Sequence, residues 1–271
     1  MKKHYKGGVR AKKSLGQHFL RDEAVLNEIT ALSKIQKNSS VLEIGGGMGD
    51  LSRKIAPLCK KLFVIEKDKD MLPFLQLALK NCDAQIIEGD ILRCDLEELL
   101  KNESSIQIAA NLPYYLTTEI MERIFMLNLP IHSVSVMVQK EAGERLTAHE
   151  GSKKRGPLAL LASLVAIYED CVHVPAGCFT PSPKVDSVFL HFAMKEELPV
   201  PKTEVKKLYG FFKLCFSKRR KTLANNLTGI AAKEDIESML ESLGLRRDIR
   251  AESLPLEKFL EIAERLNITN L

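Results

Sequence analysis

The sequence lacks several features that assign a protein to a class at first reading. No stretch of about 18 apolar residues occurs in the chain, which argues against a membrane-spanning helix. The basic N-terminus has neither the apolar stretch nor the small-residue cleavage site of a signal peptide. A cytoplasmic location is therefore expected. The sequence also contains no internal repeat and no low-complexity tract.

Cysteine and histidine are present, but without the spacing of a metal site. The six cysteines are widely spread and none forms a C-x-x-C pair, and the six histidines form no H-E-x-x-H motif. This pattern predicts reduced, mostly buried thiols and no bound metal. The cysteines are Cys59, Cys82, Cys94, Cys171, Cys178 and Cys215.

Positive charge is concentrated at one end of the chain. The formal net charge is +5, yet residues 1–13 hold six Lys or Arg residues and no acid, so the remainder sums to about −1. A local basic arm that ends in Lys12 and Lys13 suits a polyanionic partner. On charge alone, a solvated tail that binds nothing explains the arm equally well.

Apolar runs and helical segments alternate through the first half of the chain. The runs at 41–45, 62–66, 84–89, 106–111 and 134–138 are nearly continuous, as expected of parallel strands covered by helices on both faces. The pattern predicts an α/β, Rossmann-like sheet that is mostly parallel. Two further segments, 171–175 and 184–192, are predicted to close the sheet as antiparallel strands.

Only helical periodicity remains beyond Pro199 and Pro201, which mark a linker, with helices predicted at about 203–216, 219–228, 233–242 and 255–266. Before the linker, helices are also predicted near 50–58 and at 157–168, the latter ahead of the closing strands. We therefore expect a first domain over residues 1–199, which includes the basic arm at 1–13, and a small all-helical domain over 200–271.

A glycine cluster follows the first strand and predicts a cofactor site. Gly45, Gly47 and Gly49 allow a sharp turn, and Glu66 at the end of the second strand can accept both ribose hydroxyls of an adenosine cofactor. The dinucleotide pattern G-x-G-x-x-G fails, because Asp50 and Ser52 occupy its third glycine position in the two registers. The spacing favours S-adenosylmethionine, which has no pyrophosphate; a glycine turn without a ligand is the alternative.

An acidic residue also ends the third strand. Asp90 can accept a hydrogen bond from the adenine amine of the cofactor, with the neighbouring backbone at Ile91 against the ring. Taken alone, Asp90 is more simply explained as the N-cap of the next helix.

The motif Asn111-Leu112-Pro113-Tyr114 ends the fourth strand and indicates the chemistry. Adenine N6 is a poor nucleophile because its lone pair is delocalised into the ring. The Asn111 side-chain oxygen and the Leu112 carbonyl can accept the amine hydrogens and expose that lone pair. Pro113 restricts the backbone of Leu112, and Tyr114 offers a ring on which the base can stack. A proline turn beside core aromatics is the alternative.

The chain resembles the KsgA-type ribosomal RNA adenine dimethyltransferases, a group that includes the erythromycin-resistance methyltransferases. The resemblance runs from Lys13 to about Leu254. It is carried by the motifs above and by 14–20 (SLGQHFL), 138–141 (VQKE), 179–187 (FTPSPKVDS) and 216–221 (FSKRRK).

The resemblance implies a class I methyltransferase fold and further site residues. In such enzymes a Gly-Gln-Asn-Phe-Leu segment closes over the cofactor, although His18 stands here in place of Asn and Gly46 in place of a frequent Pro. Phe179 resembles the aromatic that faces Tyr114 across the flipped base; an ordinary core residue is the alternative. The full expected cofactor set is Gln17, His18, Leu20, Gly45, Gly47, Glu66, Lys67, Asp90, Ile91 and Asn111.

The resemblance also implies the substrate. The family modifies a pair of adjacent adenosines in a hairpin loop near the 3′ end of 16S rRNA, in the assembling 30S subunit. A monomer is the default expectation for the oligomeric state. Large-subunit (23S) RNA methylation, a non-catalytic assembly factor, and a DNA or small-molecule methyltransferase remain as alternatives. The expected RNA contacts are Lys12, Lys13, Lys153, Lys154, Arg155, Lys218, Arg219, Arg220 and Lys221, of which the last four equally suit a solvated helix face.

Overall fold

The computed structural model of the protein describes residues 11–12 and 15–268. These residues form two compact units. The first holds the described chain up to Gly143 together with Ile167–Glu196, and the second holds Glu144–Ala166 and the described chain from Glu197 onward. Residues 144–166 therefore group with the C-terminal helices, and the domain boundary at residue 199 stays a prediction.

The elements follow the α/β alternation expected from the sequence. The strands are β1 (Phe19–Leu20), β2 (Ser40–Ile44), β3 (Lys61–Glu66), β4 (Ala84–Glu88), β5 (Ile106–Asn111), β6 (Ile131–Gln139), β7 (Ala166–Val174), β8 (Phe179–Thr180) and β9 (Ser187–Met194). The helices are α1 (Glu23–Leu32), α2 (Ser52–Ile55), α3 (Leu72–Ala78), α4 (Leu96–Leu100), α5 (Thr117–Met126), α6 (Lys140–Leu146), α7 (Pro157–Val165), α8 (Val205–Cys215), α9 (Leu223–Leu227), α10 (Lys233–Ser242) and α11 (Leu256–Arg265).

Seven strands form one sheet in the order β4-β3-β2-β5-β6-β9-β7. The pairs β2–β3, β3–β4, β2–β5 and β5–β6 are parallel, and β9 runs antiparallel to β6. The chain leaves β2 toward β3 on one side and later returns to β5 on the other. The switch point therefore lies at the carboxyl end of β2, where open α/β sheets bind their ligands.

The central strands are apolar because both of their faces are covered. Every residue of β2 is buried, and so are all but the first residue of β3. The helix α1 packs a buried stripe that includes Leu26 and Ile29, and Asp22 caps it by accepting a hydrogen bond from the Val25 amide. The core of the first unit thus holds the strand ends in fixed positions.

Several predicted helix boundaries were wrong. The helix expected over 157–168 ends at Val165, and β7 begins at Ala166, where the backbone turns extended. The helix expected over 219–228 begins only at Leu223, where Thr222 caps it. The helix expected near 50–58 is the single turn α2 followed by a 3-10 turn that contains Pro57, which has no amide hydrogen to donate.

A short two-stranded ribbon was not predicted. β1 pairs antiparallel with β8, with Phe19 opposite Thr180 and Leu20 opposite Phe179. Two residues are too few to show strand periodicity, so the sequence carried no signal for this pair. The ribbon fixes the segment before α1 against the loop that precedes β9.

The second unit contains helices that pack around aromatic side chains. Phe259 of α11 meets Phe212 of α8 edge to face at 5.7 Å between ring centroids, and Phe216 stacks on Phe259 at 6.0 Å. Asn226 of α9 is buried and donates to the Cys215 carbonyl at 2.5 Å. These contacts hold α8, α9 and α11 together within the second unit.

Candidate active site at the carboxyl edge of the sheet

A cavity opens at the switch point of the first unit. Its walls come from the turn after β2, the ends of β3, β4 and β5, and the segment before α1. Because parallel strands point their carboxyl ends to one edge, residues far apart in sequence meet here. All ten residues predicted to contact the cofactor line this cavity: Gln17, His18, Leu20, Gly45, Gly47, Glu66, Lys67, Asp90, Ile91 and Asn111.

The glycine turn is held by the acid at the end of β3. Gly47 has a φ of +56°, and its amide donates to one carboxylate oxygen of Glu66 at 2.8 Å. The other Glu66 oxygen accepts from the Asp68 amide at 2.7 Å. Burial raises the pKa of Glu66, and these amide bonds oppose the rise. Each carboxylate oxygen keeps a second lone pair, so the hydroxyl-accepting role predicted for Glu66 remains available.

Gly46, where the resembling family often has Pro, is tightly packed. A Cβ at this position would lie 2.4 Å from Cγ1 of Val64 and 2.8 Å from a methyl group of Leu75. Both neighbours are buried in the core. A glycine in place of Pro is expected to loosen the turn, yet the absence of a side chain lets the turn sit directly on β3 and α3.

Asp90 stands on the cavity wall in an ion pair. Its carboxylate meets the Lys67 ammonium at 2.9 Å and accepts from the Leu92 amide at 3.0 Å. The hydrogen bond from Lys67 is the main reason that the pKa of Asp90 is lowered. The N-cap alternative does not hold for the next helix, because Asp95 caps α4. Asp90 is therefore an ionised acceptor at the end of β4.

The motif at the end of β5 is fixed on both sides. The Leu112 amide donates to the Met137 carbonyl at 3.1 Å, and Pro113 adopts φ −64° and ψ 118°. The Tyr114 hydroxyl and the Ser187 hydroxyl are 2.6 Å apart, and burial raises the pKa of Tyr114. Asn111 donates its amide nitrogen to the His18 carbonyl at 3.4 Å, which leaves its side-chain oxygen as an acceptor.

His18 is placed beside the tyrosine. The two rings lie 5.7 Å apart between centroids and within 19° of parallel. Nδ1 of His18 lies 2.7 Å from the Pro181 carbonyl, and because a carbonyl can only accept, Nδ1 carries the hydrogen. The ring predicted to contact the cofactor thus faces the residue predicted to stack on the base.

Phe179 lies in the core of the first unit, and the base-facing role that the resemblance implied for it stays a prediction. It is 3% exposed and packs in the core cluster with Leu20, Leu26 and Ile29, and it is absent from the lining of the cavity that holds Tyr114. Pairing of β8 with β1 directs it into the core. The geometry places Phe179 in the core beside residues that line the cavity, and His18 is the ring that lies beside Tyr114.

The segment before β1 is anchored to the loop after β3. The Gln17 side chain donates to Asp68 at 2.7 Å, and its oxygen accepts from the Lys12 amide at 2.8 Å. The Lys12 ammonium contacts both Asp68 and Asp70. Burial acts to raise the pKa of Asp68, but the hydrogen bonds from Lys12 and Gln17 outweigh it and hold the pKa below its usual range. No sequence pattern pointed to Asp68, whose partners are more than 50 residues away.

The predicted RNA contacts have different environments. Lys218, Arg219, Arg220 and Lys221 are exposed in the loop between α8 and α9, whereas the sequence suggested that they open a helix. Lys153 is exposed, and Lys154 is exposed and pairs with Glu144. Lys12 is engaged as described above, and Lys13 and the arm at 1–10 lie outside the described residues.

Arg155 requires a correction. It is 7% exposed, and its guanidinium donates to the backbone carbonyls of Glu252 and Leu254 within the second unit. Burial lowers its pKa, and the carbonyls supply the hydrogen bonds that water would otherwise provide. Arg155 therefore stabilises its own unit and is removed from the expected RNA surface.

No group of three or more His, Cys, Asp or Glu side chains within 11–12 and 15–268 is arranged to hold a metal ion. None of the helices in the described part of the chain is long and apolar enough to cross a membrane.

Comparison with solved structures shows the fold. A dimethyladenosine transferase from Plasmodium falciparum superposes with a TM-score of 0.80 at 23% identity, covering 94% of this chain and 99% of that one. The 23S rRNA methyltransferase ErmE superposes with a TM-score of 0.70 at 20% identity, covering 92% and 99%. These similarities confirm the predicted α/β methyltransferase fold.

Comparison of sequences shows the family. “Ribosomal RNA small subunit methyltransferase A” of Levilactobacillus brevis is 38% identical over 262 residues, covering 93% of this chain and 88% of the relative. The protein of the same name from Oceanobacillus iheyensis is 36% identical over 261 residues, covering 93% and 89%. The family described as “Ribosomal RNA adenine dimethylase” matches residues 8–268. The predicted enzyme class and S-adenosylmethionine as methyl donor are confirmed, and the chain belongs to the ribosomal RNA adenine dimethylase family.

Proposed function

We propose that the protein dimethylates N6 of two adjacent adenosines in a hairpin near the 3′ end of 16S rRNA, during assembly of the 30S subunit. The observation that carries this proposal is the placement of Asn111–Tyr114 at the end of β5, in the wall of the cavity that also holds Glu66 and Asp90. The names of the relatives support the small-subunit substrate. We further propose that the protein acts as a cytoplasmic monomer.

The cavity residues fit S-adenosylmethionine. Glu66 has spare acceptor capacity for ribose hydroxyls, and Asp90 is held ionised at the next strand end, where it can accept from an amine. The turn at Gly45 and Gly47 brings backbone close to the same space. When bound, the cofactor supplies a methyl group on a positively charged sulfur, which needs no pyrophosphate-binding loop.

Residues of the chain prepare the target amine. The side-chain oxygen of Asn111 and the carbonyl of Leu112 can accept the two amine hydrogens, which favours a pyramidal nitrogen with an exposed lone pair. The hydrogen bond from Asn111 to the His18 carbonyl orients the side-chain amide so that its oxygen is the free acceptor. Because the nitrogen becomes acidic once it is methylated, no strong base is needed, and catalysis rests on positioning.

The base must leave its stack to reach this cavity, which costs a few kcal/mol. Tyr114 can offset part of that cost by stacking, with its hydroxyl held at Ser187. We propose phosphate contacts from Lys12, Lys13, Lys153, Lys154 and the loop formed by Lys218, Arg219, Arg220 and Lys221, and no longer from Arg155.

Methyl mapping tests this function directly. Unmodified 30S and 50S particles are incubated separately with the protein and labelled S-adenosylmethionine, and reverse-transcription stops locate the product. Two adjacent dimethylated adenosines near the 3′ end of 16S rRNA are expected. Label found only in 23S rRNA would replace the substrate with the large-subunit alternative. Absence of label from both particles would favour a non-catalytic RNA-binding factor.

A further inference from the structure

Glu43 is a buried carboxyl group that the proposed mechanism does not use. It lies in β2, one residue before the last, and it is 1% exposed. It also lines the cavity at the switch point. Its Oε2 atom and the nearby Ser52 Oγ atom are both buried, and neither makes a hydrogen bond to another described residue. Such an orphaned polar atom is rare in native structures and calls for an explanation.

The surroundings of Glu43 oppose its negative charge. Burial raises the pKa of Glu43 to about 8, the nearby Ser52 hydroxyl opposes that rise, and the charges of Glu66 and Asp50 add to it. Glu43 is therefore mostly neutral at pH 7.

The other ionisable groups around Glu43 have partners of their own or are neutral. Glu66 accepts two backbone amides, and Asp50 pairs with Arg21 at 2.8 Å. Burial raises the pKa of the Cys59 thiol to about 11, so it carries no charge near neutral pH. An ionised Glu43 would thus depend on a positive charge brought into the cavity.

We propose that Glu43 senses the charge of the bound cofactor: it releases its proton to solvent when S-adenosylmethionine binds and recovers one from solvent once the methyl group has been transferred. The inference rests on the proposed function, because it requires S-adenosylmethionine in this cavity. The sulfonium carries a positive charge that the thioether of S-adenosylhomocysteine lacks. An ionised carboxylate that lines the cavity attracts the sulfonium and so favours S-adenosylmethionine over S-adenosylhomocysteine. A protonated carboxyl group carries no charge and does not distinguish the two ligands in this way.

The consequence is discrimination between methyl donor and spent product. The two ligands share their adenosine and amino-acid parts, so Glu66 and Asp90 respond to both alike. A difference between the two ligands in proton release on binding therefore identifies a group that responds to the sulfonium. Glu43 would help a dimethylating enzyme exchange its cofactor between the two transfers, because its ionised form favours the sulfonium over the thioether.

Proton release on the wild-type protein is the first measurement. Titration calorimetry with each ligand is run at pH 7 in two buffers that differ in ionisation enthalpy. With a pKa of about 8 in the free protein, about 0.9 proton should be released per S-adenosylmethionine bound at pH 7, about 0.5 at pH 8 and about 0.1 at pH 9. Binding of S-adenosylhomocysteine should release almost no protons, apart from any that the shared adenosine and amino-acid parts of the two ligands release.

The affinity should follow the same linkage. Since binding of the methyl donor releases a proton, its Kd should fall about tenfold per pH unit between pH 6 and 7 and level off above pH 8. The Kd of S-adenosylhomocysteine should change much less over that range. Equal proton release or equal pH dependence for the two ligands would overturn the inference.

A substitution assigns the effect to one residue. Glu43→Gln keeps the shape of the protonated acid but cannot ionise. It should abolish the difference in proton release and weaken S-adenosylmethionine binding at pH 9 by at least about tenfold, equivalent to one pKa unit, while S-adenosylhomocysteine binding changes less than about twofold. Glu88→Gln is the matched control, because Glu88 is exposed and lies outside the cavity lining.

Failure of the inference and failure of the proposed function are separable. If S-adenosylmethionine binds tightly but the proton difference is absent, the inference fails and the proposed function stands. If S-adenosylmethionine does not bind, both fail. If Glu43→Gln does not fold, as judged by its thermal unfolding curve, the wild-type comparison of the two ligands still decides.

Discussion

Substitution of Gly46 by Ala tests whether the turn below the cofactor site is held by direct packing. Gly46 has a negative φ, so the backbone conformation itself accepts alanine. The added Cβ would lie 2.4 Å from Cγ1 of Val64, a fully buried residue of β3. Valine is stiff at χ1, and its other neighbours in the core leave it little room to move. The clash must therefore be relieved by displacement of the turn or of β3.

The expected size of the effect follows from two opposing contributions. Overpacking of a filled core costs about 1–3 kcal/mol, whereas replacing glycine by alanine lowers unfolded-state entropy and stabilises by about 0.4–1 kcal/mol. The free energy of unfolding should therefore decrease by about 1–2 kcal/mol. For a unit of this size, each kcal/mol lowers the Tm by about 2–4 °C, which gives a decrease of about 2–8 °C.

Gly177→Ala is the matched control for this experiment. Gly177 also has no positive φ and belongs to the first unit, and a Cβ there would meet nothing within 4 Å. Only the entropic contribution remains, so its Tm should stay equal or rise slightly. Differential scanning calorimetry of both variants without ligand is the assay. Equal Tm values for the two variants would show that the turn is not tightly packed on Val64 and Leu75.

Three further perturbations address the site and the RNA surface. Asn111→Ala removes one acceptor for the target amine. By analogy with the loss of one polar group that stabilises a transition state, kcat should fall about 10²–10³-fold, while RNA binding in a filter assay is retained. Equal loss of kcat and of RNA binding would exclude the assigned role. His18→Ala removes the ring whose centroid lies 5.7 Å from that of Tyr114. It should lower kcat/KM for RNA about 5- to 150-fold, as expected for removal of one stacking ring. An effect on cofactor affinity alone would show that His18 contacts the cofactor and not the base. Replacing Lys218, Arg219, Arg220 and Lys221 by Ser should lower the slope of log K against log salt by about 0.7 for each phosphate that is no longer neutralised, up to about 3, and an unchanged slope would exclude the loop from the interface.

The strand-end residues could be predicted because topology alone brings them together. Parallel strands place the residues that follow them at one edge of the sheet. Correct strand assignments were therefore enough to predict that the glycine turn, Glu66, Asp90 and Asn111 lie together. Glu43 carried a signal that could have been used. It is a single acid inside the otherwise apolar run 41–45, and such a residue becomes a buried carboxyl if the strand is central.

The contacts of the segment before α1 could not be predicted, because nothing local fixes them. Gln17 meets Asp68 across 51 positions of sequence, and Phe179 turns into the core because β8 pairs with β1. The β1–β8 ribbon has only two residues per strand, which is too short to show strand periodicity in the sequence. The resemblance to a family predicts that these residues lie near the cavity, but it does not predict what their side chains contact. His18 is the ring that lies beside Tyr114 in the structure.

Basic clusters are weaker evidence of RNA contact than strand-end motifs, and Arg155 shows the physical reason. A run of Lys153, Lys154 and Arg155 looks uniform in sequence, yet two members are exposed and the third is buried. The guanidinium tolerates burial because carbonyls about 100 residues away accept its hydrogens, which is a property of tertiary packing. The exposed loop of Lys218, Arg219, Arg220 and Lys221 differs because the buried Asn226 accepts from the Lys218 amide at 3.2 Å and fixes the loop backbone while the charged groups stay in solvent. Positive charge held in place at low entropic cost is what phosphate binding requires, so this loop is the stronger of the two candidates.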